Sequence, residues 1–133
     1  MGQQQLLLIV LGVIVVGIAV VVGINLFNAN AVSANRDGVV SDLNNLGAMA
    51  QQFYKKPTSM GGGGNSFSTA KGATSPWAIA AELDTTANGN YVATVNDQSV
   101  TIQGYGTENA PNGSKINHTA TVGPSSITVV KTN

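Results

Sequence analysis

The pattern of apolar and polar positions divides the chain into three stretches. Leu6 to Ile24 reads LLLIVLGVIVVGIAVVVGI, nineteen residues without a polar side chain. As a helix it would be about 28 Å long at 1.5 Å per residue, close to a hydrocarbon core of about 30 Å. Valine and isoleucine suit strands equally well, but no water-soluble strand needs such a run, and lipid demands internally satisfied backbone groups. The pattern predicts a membrane helix.

Beyond Ile24 the sequence turns polar gradually, through Asn25, Asn28, Asn30, Ser33 and Asn35. Apolar residues then recur at Val32, Val39, Leu43, Leu46, Ala50 and Phe53, the spacing of a two-faced helix. Asp37, Ser41, Asp42, Asn44, Asn45, Gln51 and Gln52 fall on its other faces. Lys55 and Lys56 suit a helix C-terminus, and Pro57 with Gly61 to Gly64 ends it. One helix of about fifty residues, near 75 Å, is expected, apolar all round in its first half and amphipathic in its second. Gly38 and Gly47, each costing about 1 kcal/mol against alanine, mark where it would bend.

The third stretch changes period. Residues 57 to 75 are rich in Gly, Ser and Thr, the composition of a flexible or surface-wrapping loop. Ser75 and Pro76 would cap and begin a short helical turn through Leu83, aiming Trp77, Ile79 and Leu83 at a core. Four strand-like runs follow, Tyr91 to Val95, Ser99 to Tyr105, Ile116 to Val122 and Ile127 to Val130. Asn96-Asp97-Gln98, the loop Glu108 to Ser114, and Gly123-Pro124-Ser125 separate them. Val100 and Ile102, and Ile127 and Val129, alternate so that one sheet face packs on the amphipathic helix. The predicted fold class is α+β: a long N-terminal helix packed on a small C-terminal antiparallel sheet.

Charge sharpens this division. Six basic and six acidic residues give zero net charge and make up 9% of the 133 residues, against about 25% in soluble domains. None of the twelve precedes Arg36. Such a balance excludes an electrostatic nucleic-acid binder, a polybasic membrane-surface peptide and an acidic tail. With no cysteine there is no disulfide framework, thiolate metal site or cysteine nucleophile. A cleaved secretory signal is the alternative reading of the N-terminus, with Ala29-Asn30-Ala31 as its site, although no lysine or arginine precedes the run and the run exceeds the usual length.

Enzyme chemistry finds little purchase. His118 is the only histidine and reads as an exposed strand residue. Asp84, Asn88, Asn90 and Asp97 lack the spacing of a calcium loop and read as turn residues. The glycine run is not a phosphate cradle, since no Gly-Lys-Ser/Thr follows it. No metal, cofactor or catalytic site is expected. Asn112-Gly113-Ser114 and Asn117-His118-Thr119 match the N-glycosylation pattern. The seven aromatics, Phe27, Phe53, Tyr54, Phe67, Trp77, Tyr91 and Tyr105, fit core positions. Gly12, Ala19 and Gly23 lie within about 20° of one azimuth, a stripe where a second helix could approach closely.

Gln5-Leu6-Leu7-Leu8-Ile9-Val10-Leu11-Gly12-Val13-Ile14 resembles the segment that follows prepilin processing in the type IV pilin superfamily. The order of a charge-free helix, amphipathic continuation, glycine-rich loop and small sheet is similar as well. The resemblance implies a structural filament subunit. Residues 1–27 would form the transmembrane and filament-core helix, 28–56 its amphipathic continuation, and 57–133 the loop and sheet. It further implies subunit packing through Leu6, Ile9, Gly12, Val16, Ala19 and Gly23, and processing or N-terminal register at Met1, Gly2, Gln3 and Gln5. Its implied partners are other copies of the chain, the inner or cytoplasmic membrane before assembly, a prepilin peptidase and pilus assembly machinery.

The chain departs from the family pattern in several places. Members usually carry glutamate at the fifth processed position; counted from Met1 that place holds Gln5, which hydrogen-bonds but cannot ion-pair. Cleavage after Gly2 would instead put Leu7 there. The usual mid-helix proline and C-terminal disulfide are absent too. The alternatives are a monomeric surface-binding module or adhesin on a single-pass anchor, and a pseudopilin of a secretion apparatus.

Overall fold

The computed structural model describes residues 2–133. Met1, expected to bear on processing and register, lies outside the described residues. Helix α1 runs unbroken over Gln3–Lys55, 53 residues, or about 80 Å. Strands β1 (Gly89–Val95), β2 (Val100–Asn109), β3 (Lys115–Val122) and β4 (Ile127–Lys131) form one antiparallel sheet in the order β1-β2-β3-β4. The fold is therefore α+β, a helix on a meander, and the strands begin and end within a few residues of their expected places.

The second half of α1 packs on one sheet face because its buried positions share one stripe: Asn35, Val39, Leu43, Leu46, Gly47 and Ala50. The inward residues of the sheet include Tyr91, Val100, Ile102, Ile116, Ala120 and Val122, all buried. Phe67 and Trp77 close the core beyond the helix C-terminus, where the Tyr54 and Phe67 rings lie 4.8 Å apart. The outward positions alternate with these and are exposed or half-exposed along all four strands.

Several expectations change. The helix is continuous through Gly38 and Gly47, and both glycines serve close approach instead. A side chain at Gly38 would overlap the Asn88 side chain, and one at Gly47 would lie 3.0 Å from Ile127 Cδ1. The glycine run caps the helix: Gly63 N–H donates to the Phe53 carbonyl at 2.8 Å, and Asn65 N–H to the Tyr54 carbonyl at 2.7 Å. These bonds satisfy carbonyls that a helix end otherwise leaves open. Gly63 must lack a side chain, since a Cβ would meet the Ser66 carbonyl and the Phe53 ring.

Residues 76 to 80 form no helical turn; the chain there is irregular, with Trp77 N–H bonded to the Phe67 carbonyl at 2.8 Å. Tertiary packing of Trp77 outweighs the local capping signal, while Trp77, Ile79 and Leu83 still point to the core. His118 is buried at 5% exposure, correcting its exposed reading. It alternates with Ile116, Ala120 and Val122 on the inward face of β3, opposite the side-chain-free Gly104. Phe27, at 77% exposure, is far from any core, and Tyr105 faces outward at 36%.

Candidate functional surface: the uncovered helix and the pins below it

From Gln3 to Ala34 α1 is in contact with solvent along nearly its whole surface; only Gly23 and Val32 are half-buried. Apolar side chains face outward in every direction, from Leu6 at 64% to Leu26 at 62% exposure. A helix that is hydrophobic all round belongs in lipid or among other helices. Among the described residues this is one helix long and apolar enough to cross a membrane.

The residues expected to pack between subunits all lie here. Leu6, Ile9, Gly12, Val16 and Ala19 are exposed, and Gly23 is half-exposed. A methyl group added at Gly12, Gly17 or Gly23 would meet nothing within 4 Å. The stripe of small residues is thus open to a neighbouring helix.

At the N-terminus, Gly2 is extended and its carbonyl accepts the Gln5 N–H at 3.2 Å; no side chain caps the helix and no acidic residue occupies its first turn. Gln3 and Gln5 are exposed there. Gln5 thus has both amide groups available to a partner, as donor and acceptor.

Below Ala34 a series of polar ties fixes where the helix sits on the sheet. Asn35, buried, donates Nδ2–H to the Asn88 carbonyl at 2.8 Å and accepts the Glu108 N–H at 3.2 Å. Arg36 Nη1 donates to the Asn133 carbonyl at 2.6 Å. Farther along, Gln51 Nε2 donates to the Gly123 carbonyl at 3.2 Å and Tyr54 hydroxyl to Gln98 Oε1 at 2.9 Å.

The densest tie is at Asp42. Its Oδ2 accepts the Tyr91 hydroxyl at 2.6 Å, the Thr86 hydroxyl at 2.8 Å and Asn88 Nδ2 at 3.1 Å. Burial alone would raise the Asp42 pKa, but the three donated bonds outweigh it and hold the carboxyl below its ordinary value. The same site raises the Tyr91 pKa, first through burial and then through the hydrogen bond to Asp42. Sequence reasoning placed Asp42 on a polar face and Asn88 in a turn; their meeting, at positions 46 apart in the chain, has no local signal.

Among the described residues no three His, Cys, Asp or Glu side chains come together to hold a metal. Of the two glycosylation-type sequences, Asn112 lies exposed at the β2–β3 turn, its Oδ1 accepting the Ser114 N–H at 3.0 Å. Asn117 is half-buried within β3, and the Thr119 hydroxyl is bonded to that of Thr132 at 3.0 Å. No protein-family model, curated protein or solved structure matches the chain.

Proposed function

We propose that the chain is the structural subunit of an extracellular filament resembling a type IV pilus, built by packing the N-terminal apolar helices of many copies into a common core. The observation that supports this reading is the uncharged, almost wholly exposed surface of α1 before Asn35, continuous with the helical half that packs on the sheet. The uncovered stretch of 32 residues from Gln3 to Ala34 is about 48 Å long, more than a hydrocarbon core of about 30 Å requires.

The subunit first resides in the membrane through Leu6 to Ile24 and then passes into the bundle. Bilayer and bundle are both apolar, so the transfer exchanges lipid contacts for helix contacts. Exposure to water instead would cost on the order of ten kcal/mol, at a few tenths for each apolar residue. Gly12, Ala19 and Gly23 supply the close-packing face, with Leu6, Ile9 and Val16 around it. With Gln5 in place of a carboxylate, register between copies rests on hydrogen bonds and packing instead of an ion pair.

Electron microscopy of material sheared from cells tests the proposal. Fibres a few nanometres wide that contain this chain are expected. Recovery of the chain solely as detergent-soluble monomers, with no fibres, would instead favour a monomeric anchored module.

A further inference from the structure

The two glycosylation-type sequences fall in opposite settings. Asn112, Gly113 and Ser114 form the tip of the β2–β3 hairpin, where residues 111–115 are all exposed. The loop closes on itself: Ala110 N–H donates to the Ser114 carbonyl at 2.7 Å and Gly113 N–H to the Ala110 carbonyl at 2.9 Å, with Gly113 in the left-handed region at φ 86°. Asn112 Oδ1 accepts the Ser114 N–H at 3.0 Å, an Asx turn that folds the third residue of the pattern back toward the Asn112 side chain. That bond uses Oδ1 and not Nδ2, the atom that carries the sugar in an N-linked glycan. Asn117 instead sits half-buried in β3, an inner strand paired on both edges. Its carbonyl accepts the Thr132 N–H at 2.9 Å, and the Thr119 hydroxyl, the third-position group of the pattern, is bonded to that of Thr132.

The hairpin tip also stands close to the membrane-spanning run. Asn109 and Pro111 share a groove with Asn28, Ala29 and Val32 of α1. These helix residues follow Ile24, where the apolar run ends, by four to eight positions, or about 6 to 12 Å. A chain anchored in the bilayer therefore holds Asn112 near the level of the headgroups, where a sugar donor carried on a lipid is anchored as well.

We propose that Asn112 is the acceptor of an N-linked glycan, transferred from a lipid-linked sugar phosphate by a membrane-bound oligosaccharyl-transferring enzyme, and that Asn117 stays bare. Asn112 Nδ2 attacks the anomeric carbon of the donor. A C–N bond forms, the C–O bond to the lipid phosphate breaks with its electron pair leaving on the phosphate oxygen, and Nδ2 gives up one proton to a base of the enzyme. Ser114 is a positioning residue, its hydroxyl being what the enzyme reads at the third place of the pattern. The reaction depends on the filament reading above in one respect, that the helix-and-sheet body lies outside the cell membrane.

Tryptic cleavage after Lys115 separates the two candidates, leaving Asn112 in residues 72–115 and Asn117 in residues 116–131. Mass spectrometry of peptides from the full-length chain, taken from membranes and from sheared material of the cells that make it, is expected to show a sugar mass on 72–115 and none on 116–131. Asn112→Gln and Ser114→Ala should each remove that mass completely, while Ser114→Thr keeps it. A bare 72–115 peptide, a sugar that survives Asn112→Gln, or a sugar on Asn117 would overturn the proposal. Fibres built from bare chain would do so with the filament reading intact, whereas a chain glycosylated at Asn112 that forms no fibres would support the site and remove the filament.

Discussion

Asp42 shows how a single charge can set the position of a long helix. One carboxylate oxygen collects three donors from the segment between Thr86 and Tyr91, and Gly38, one turn earlier, leaves room for Asn88 to reach it. Asp42→Ala would leave those donors without their shared acceptor and should cost about 2 to 4 kcal/mol, read from thermal or denaturant unfolding in detergent. The pH dependence follows from the direction of the shifts. Because the folded-state pKa of Asp42 is lowered, its contribution is present above the ordinary value of 3.8 and disappears as pH falls through the folded value. The raised Tyr91 pKa works the other way: its contribution is intact below 10.0 and is lost as pH rises through the folded value. Asp42→Asn should therefore flatten the acid side of a stability profile; an unchanged acid limb would assign that limb to other carboxylates.

At the scale of elements, periodicity made the helix and four strands legible, because nineteen apolar residues and the spacing from Val39 to Phe53 admit few other readings. The same alternation in β3 already put His118 with Ile116 and Ala120, and reading the histidine by its polarity alone missed this. The irregular path from Pro76 to Ala80 and the capping by Gly63 were not legible, since both depend on contacts with Phe53 and Phe67. Composition identified the glycine run as a loop but could not reveal that its amides close the helix end. The open stripe on the first half of α1 leads to a direct prediction. Gly12→Leu and Gly23→Leu should reduce the yield of sheared filament while leaving the chain in the membrane fraction, because leucine suits lipid but holds two helices apart. Normal filament yield from both variants would remove the stripe from the packing surface.

Across the whole molecule, neutrality conceals segregation. All twelve charges lie from Arg36 onward, on the part that builds its own core, while the preceding helix is exposed along nearly its whole length. The candidate surface was therefore nearly fully legible in the sequence, where absence of charge and of polar side chains marks it residue by residue. The pins that hold it to the sheet were not, because Asn35, Arg36 and Asp42 find partners 53, 97 and 44 to 49 residues away. Removal of residues 1–28 takes away none of the buried core. It should yield a soluble monomer with unfolding like that of the full-length chain and no ability to form fibres, measured by light scattering and circular dichroism. Fibres from the truncated chain would place assembly in the sheet instead.

The central claim is that apolar helices of different copies lie side by side, and the lack of native cysteine makes it directly accessible. Copies in an open filament meet through different residues, so cysteines are placed two per chain, at Gly12 with Ala19, Gly12 with Gly23 and Ala19 with Gly23, and oxidised in intact sheared filaments, where a disulfide requires Cα atoms within about 7 Å. Cross-linked multimers from at least one of these pairs, and none when one member of the pair is moved to exposed Thr69 on the distal body, are predicted; filaments that yield no cross-link from any of the three pairs would contradict the account.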